Sequence, residues 1–193
     1  MKTRFLLPLV LISGMAQHAM AADASHCLEN EDPDARLGCY DMEYGRTSST
    51  DVTAGDWVSY TEKNPLDDSS TVLLVLEAES GSNRRGQTIK LALRCKSNTT
   101  DMWIIWGDYL GNEMPRVTTR LGEEDAKVEG WSLSTNNTST FYPGSPIGLI
   151  KEMFSESRYV AQVTPYNESP ITAVFDIGGL EEAIAPLRET CNW

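Results

Sequence analysis

Histidine is nearly missing from this 193-residue chain, which has only His18 and His26. His18 falls within an N-terminal export signal, so one imidazole is expected in the mature protein. That argues against Ser-His-Asp and Cys-His nucleophilic sites and against a histidine-based zinc site. No Cys-x-x-Cys occurs, which speaks against thiol redox catalysis. No G-x-G-x-x-G, P-loop or G-x-S-x-G is present either. Cations are scarce too, with 16 Lys and Arg against 28 Asp and Glu, a formal net charge of −12. A chain of that sign repels nucleic acid and anionic lipid over a Debye length, so no nucleic-acid partner is expected. Nor is there a long apolar run after the first few residues, so no membrane insertion is expected after signal cleavage.

What the N-terminus does hold is an export signal over residues 1–21. Lys2 and Arg4 form its charged start, Phe5 to Ile12 its apolar stretch, and Ala19-Met20-Ala21 an A-x-A cleavage site. Removal of those 21 residues leaves 172 of the 193 and moves the net charge from −12 to −14. The remainder has the size of one ordinary domain. Four cysteines follow the signal: Cys27, Cys39, Cys95 and Cys191. An even count in an exported chain predicts two disulfides and an oxidising compartment. Residues 22–54 read as a helical head and linker, with Asp32 and Pro33 starting a helix. Residues 55–193 read as a β-rich domain forming one compact unit with the head.

In that second part the periodicity is mostly two. Ile89, Leu91, Leu93 and Cys95 share one face of a strand, while Lys90, Ala92, Arg94 and Lys96 share the other. Residues 71–77, 101–106, 116–121, 127–133, 158–164 and 171–176 are further strand candidates, with polar turns between them. Ser145 and Pro146 predict an N-cap and first turn for a helix carrying Ile147, Ile150, Met153 and Phe154. A second helix begins near Gly179. Its Leu180, Ile184, Leu187 and Cys191 lie on one stripe, and Pro186 should kink or restart it. Three disulfide pairings are open. The favoured one is 27–39, which is local, with 95–191, where both residues sit on core-facing stripes. The fold class expected is α+β: mainly an antiparallel β-sheet or sandwich, with a disulfide-closed N-terminal helical head and a C-terminal helix stapled to the sheet.

No residue stands out as catalytic, and no metal ligand set or cofactor motif is present. Asp67-Asp68-Ser69-Ser70 precedes a strand, and its side chains can bond their own backbone or meet a partner. Lys90, Arg94 and Lys96 make a basic stripe in an acidic protein, the wet face of a sheet or a seat for an acidic partner or for a carboxylate of cell-wall peptide. Trp103 and Trp106, three apart, cannot both face one side of a regular strand, so one is core and the other exposed. Asp67, Asp68, Lys90, Arg94, Trp103 and Trp106 are the candidates for partner contact.

Several segments together carry a resemblance: Cys27 with Asp34-Ala35-Arg36-Leu37-Gly38-Cys39-Tyr40-Asp41, Trp57, Asp67 to Val72, Leu91-Ala92-Leu93-Arg94-Cys95, Phe175 to Leu180, and Cys191-Asn192-Trp193. In that order they resemble the VasI/TagO family of type VI secretion-associated periplasmic proteins, over nearly the whole mature chain. The resemblance implies a Gram-negative source and a periplasmic accessory of the secretion apparatus, with no catalytic residues to transfer. The expected function is therefore a non-enzymatic accessory or binding protein whose partner is an envelope or secretion-apparatus protein. The alternative is an inhibitor or immunity protein against a lysozyme-type wall-degrading enzyme, which the acidic charge would suit. A carboxylate-based peptidoglycan hydrolase is the third reading.

Overall fold

A computed structural model describes residues 54–193, together with Cys27, Arg36 and the short strand Ser49–Thr50. The chain divides into two units, Met1–Thr47 and Ser48–Trp193, and the fold below is that of the second. The helical head expected within residues 22–54 lies outside the described residues, and so does Cys39 of the expected 27–39 bridge. Cys27 itself is disulfide-bonded.

Among the described residues, the second unit holds eleven strands and three short helices. The strands are β1 (Ser49–Thr50), β2 (Val58–Lys63), β3 (Ser70–Ser82), β4 (Thr88–Lys96), β5 (Thr99–Ile105), β6 (Arg116–Leu121), β7 (Lys127–Gly130), β8 (Ser132–Leu133), β9 (Ser139–Phe141), β10 (Arg158–Val163) and β11 (Ile171–Asp176). The helices are α1 (Ile147–Met153), α2 (Leu180–Ala183) and α3 (Ala185–Cys191). Every described strand pairing is antiparallel. The order is β7-β6-β10-β11-β3-β4-β5-β9-β8, with β2 also on β3 and β1 on β2. The two outermost strands of that path, β7 and β8, are separated in sequence by Trp131 alone. The sheet thus returns on itself and is nearly closed, like a barrel. One strand was expected over 127–133. Trp131 breaks it, because its fully buried ring turns inward against Tyr142, centroids 5.3 Å apart.

β3 is the strand that both layers share. Its first half pairs with β2, from Ser70↔Lys63 to Val75↔Val58, and its far end meets β11 at Ser80↔Val174. Between Glu77 and Ser82 its register with β4 shifts, which bends the strand from one layer to the other. Gly81 makes that bend possible. Its φ is +110°, and a Cβ there would lie 2.3 Å from the Thr172 carbonyl oxygen. Only glycine combines that backbone with so close an approach.

Inside the curved sheet, alternation fills the core. Val72, Leu74 and Leu76 of β3 meet Leu91, Leu93 and Cys95 of β4, with Met102 and Ile104 of β5 behind them, all buried. The helical stripe read from sequence is also buried at Leu180, Ile184, Leu187 and Cys191. The helix does restart at Pro186, which occupies the first turn of α3. Helix α3 packs on β3 and β4, and Cys191 is bonded to Cys95 with Cα atoms 5.7 Å apart. The C-terminal helix is therefore stapled to the sheet. The α1 cap falls one residue later than expected: Pro146 is the N-cap, with no side-chain hydrogen bond.

Candidate functional site

The six sequence candidates separate into three places. Asp67 and Asp68 sit at the β2–β3 turn, where Asn64 N–H donates to the Ser69 carbonyl at 2.8 Å. The Asp67 carboxylate accepts from Ser69 Oγ at 2.6 Å and from Ser69 N–H at 3.0 Å. Those two bonds hold the Asp67 carboxyl below its usual range. Asp68 takes φ of +56°, a left-handed conformation that aspartate tolerates. The turn is thus built from its own side chains, and Asp67 is occupied in shaping it.

Trp106 is 1% exposed and donates its Nε1–H to Thr140 Oγ1 at 2.9 Å. It belongs to the core and is not available to a partner, contrary to its place among the contact candidates. Trp103 is the outward ring of the two. The reason is register: β5 pairs with β4 so that Trp103 lies beside Ala92, on the face opposite Leu91 and Leu93.

Lys90, Arg94 and Trp103 do come together, on the outer face of the sheet formed by β2, β3, β4, β5 and β9. Cross-strand neighbours run Val58, Val75, Ala92, Trp103, Phe141, one residue from each strand. Trp103 stacks on Phe141 with centroids 5.6 Å apart. A parallel row runs Tyr60, Leu73, Arg94, Asp101. The Arg94 guanidinium bonds Asp101 at 2.6 Å and lies over the Trp103 ring, 5.4 Å from its centroid. On the other side of the apolar row, Lys90 pairs with its cross-strand neighbour Glu77 at 2.8 Å. Lys90 and Arg94 of the basic stripe are therefore neutralised on the spot by acids of the same face, while Lys96 stays exposed at the end of β4. What remains is an apolar band, half-buried at Val58, Val75, Trp103 and Phe141 and fully buried at Ala92 between them, whose flanking charges balance, in a protein of net charge −12.

A fourth place was not singled out as a site in the sequence, which shows there only turns. At the end of β3 opposite the Asp67 turn, four connections interlock. They are the β3–β4 turn, the β5–β6 loop, the β8–β9 turn and the β10–β11 turn. Arg84 N–H donates to the buried Asp108 carboxylate at 2.9 Å, and the Arg84 guanidinium meets Glu168 at 3.2 Å. Leu110 N–H donates to the Asn137 carbonyl and Tyr166 N–H to the Tyr109 carbonyl, each at 2.9 Å. Tyr109 and Tyr166, 46% and 60% exposed, stand edge to face with centroids 6.0 Å apart. The signal available in sequence was the density of Asn, Gly and Tyr at turns far apart in the chain, which only folding gathers.

Among the described residues, no group of three or more His, Cys, Asp or Glu side chains could hold a metal ion. No described helix is long and apolar enough to cross a membrane.

Comparison with known proteins agrees with this architecture. The crystal structure of invasion associated protein B from Bartonella henselae superposes with a TM-score of 0.52 at 9% identity, over 74% of this chain and 98% of that one. At that identity the likeness is one of fold alone. None of the curated proteins matches the chain. A protein family described as "Type VI secretion system VasI, EvfG" matches residues 26–193, from just before the first cysteine to the last residue. The chain belongs to this VasI family of type VI secretion-associated proteins.

Proposed function

We propose that the protein is a periplasmic accessory of the type VI secretion system that acts by binding rather than catalysis. Its partner is an envelope or secretion-apparatus protein, and the docking surface is the outer face of β2, β3, β4, β5 and β9. The observation that carries this reading is the Val58–Val75–Ala92–Trp103–Phe141 band with its paired charges. An outward strand face that only had to meet water would carry polar residues at these positions. Apolar band, central Trp and adjoining Arg match the composition of interface centres, where Trp, Tyr and Arg dominate the binding energy. Local charge balance also lets a partner approach this face without meeting the repulsion of the acidic body. Family membership supplies the system in which that partner is sought, and the export signal supplies the compartment.

The test is capture from a secreting strain by the tagged mature protein. Wild type should recover an envelope or secretion-apparatus protein. Trp103→Ala, which removes the centre of the band and whose folding is checked by thermal unfolding, should reduce recovery about tenfold or more. Fractionation should place the native protein in the periplasm with Ala22 as its first residue. Failure of wild type to recover any envelope component, or turnover of labelled sacculi by the purified protein, would sink the reading.

A further inference from the structure

The interlocked loop end carries a second inference, independent of the sheet face. Its two exposed tyrosines are held, not loose. Tyr109 OH donates to Asn112 Oδ1 at 2.7 Å, and Asn137 Nδ2 donates to the same oxygen at 2.8 Å. Two donors on one atom fix the orientation of the Asn112 amide, so its N–H groups point away from the pair. Underneath, buried Asn83 accepts from the N–H groups of Arg85 and Gln87, each at 2.9 Å. The aromatic pair is therefore presented on a rigid base, so little ordering entropy remains to be lost on binding.

The chemistry left free at this end is specific. Among the described residues no protein group pairs with the Tyr166 hydroxyl, the Asn112 amide N–H groups or the exposed Arg85 guanidinium. The surface offers two aromatic faces and an excess of hydrogen-bond donors. Arg84 is already neutralised by Glu168, and the whole protein is strongly acidic, so a polyanion would be repelled. A ligand that fits must be uncharged, must stack an apolar face on tyrosine, and must bring carbonyl or hydroxyl oxygens to the donors. N-acetylated amino sugars meet all three conditions. The C–H face of a pyranose covers an aromatic ring, and the acetamido carbonyl accepts from an amide or guanidinium.

We infer that the loop end built around Tyr109, Tyr166 and Asn112 binds an uncharged glycan of N-acetylated amino sugars. The probe is the tetrasaccharide of N-acetylglucosamine, titrated calorimetrically into the mature full chain. A glucose tetrasaccharide of the same linkage serves as control. Saturable binding is expected for the acetylated sugar, at least tenfold tighter than for the glucose one. Tyr109→Ala and Tyr166→Ala should each weaken it about three- to tenfold, the range for loss of one aromatic contact. Asn112→Ala should weaken the acetylated sugar more than the control. Thermal unfolding checks that the variants remain folded, which the exposure of both rings favours. Trp103→Ala should leave glycan binding unchanged, so failure of the sheet-face reading and failure of this one are told apart. Absence of saturation at millimolar sugar would overturn the inference. So would binding indifferent to both tyrosines, or loop-end variants that instead abolish capture of a protein.

Discussion

Tyr159 is the residue whose chemistry the fold alters most. It is 1% exposed, and its ring stacks against Phe175 with centroids 6.4 Å apart. Its buried hydroxyl makes no well-formed hydrogen bond, and a weak interaction with the Thr119 side chain offsets the burial only in part. Burial accordingly pushes the phenol well above its ordinary value of 10.0. The unfolded chain ionises this tyrosine near that ordinary value, while the folded protein keeps it neutral. Below about pH 10 both states hold the proton and the stability of the neutral buried form is fully present. As pH rises further the unfolded state releases its proton first, and that stability is progressively lost. Tyr142, raised by burial as well, acts in the same direction. Urea midpoints measured from pH 8 to 11 should fall steeply at the alkaline end. Tyr159→Phe should flatten that fall and change stability at pH 7 by less than about 1 kcal/mol, because the lost hydroxyl leaves no strong bond broken. A variant that keeps the wild-type slope would mean the alkaline sensitivity lies elsewhere.

Among the elements, β3 decides the architecture, and its bend rests on one residue. Gly81 combines φ of +110° with backbone of β11 at a distance no Cβ tolerates. Gly86, in the following turn, also has positive φ, at +77°, but a Cβ there would meet nothing within 4 Å. Gly86→Ala should therefore lose only the conformational strain, about 1 kcal/mol. Gly81→Ala adds the clash with Thr172 and should lose roughly 3 kcal/mol or more, since backbone rather than a flexible side chain must move. Chemical unfolding of the two variants measures the contrast, and equal losses would mean β3 can shift away from β11 freely. This bend also marks where sequence reasoning stopped. Strand β4 was legible to the residue, because one face is buried and the other wet, and so were β6 and β11. The Leu180–Cys191 stripe and its meeting with Cys95 were legible for the same reason at helical spacing. The extension of β3 past Glu77 was not, because Glu79, Ser80 and Gly81 carry no apolar alternation and their partner strand lies about ninety residues away. Nor could spacing say which of Trp103 and Trp106 faced out, since that depends on the register with β4. Tyr109 and Tyr166 belong to different loops, and no local pattern links them.

For the molecule as a whole, the Cys95–Cys191 bridge is the longest covalent constraint described. Its partners are 96 residues apart, so the closed loop contains everything from β5 to α3. In the unfolded chain such a closure removes conformational freedom worth about 4–5 kcal/mol by the chain-entropy account. That is a large share of the 5–15 kcal/mol that keeps a domain of this size folded. The bridge is not the only hold on the C-terminus. Leu180, Ile184 and Leu187 are buried against the sheet, Trp193 Nε1 donates to Thr100 Oγ1 at 2.8 Å, and Asn192 Nδ2 donates to Asn98 at 3.1 Å. These contacts act on the folded state, whereas the disulfide acts mainly on the unfolded one. The double variant Cys95→Ala with Cys191→Ala separates the two contributions and leaves the bridge at Cys27 untouched. It should keep the β-rich circular dichroism spectrum and the fluorescence of its buried tryptophans, while its unfolding free energy falls by about 3–5 kcal/mol. Its urea m-value should rise, because the uncrosslinked unfolded chain exposes more surface. A loss below about 1 kcal/mol with an unchanged m-value would show instead that the apolar stripe and the terminal hydrogen bonds hold the end of the chain, and that the bridge constrains little.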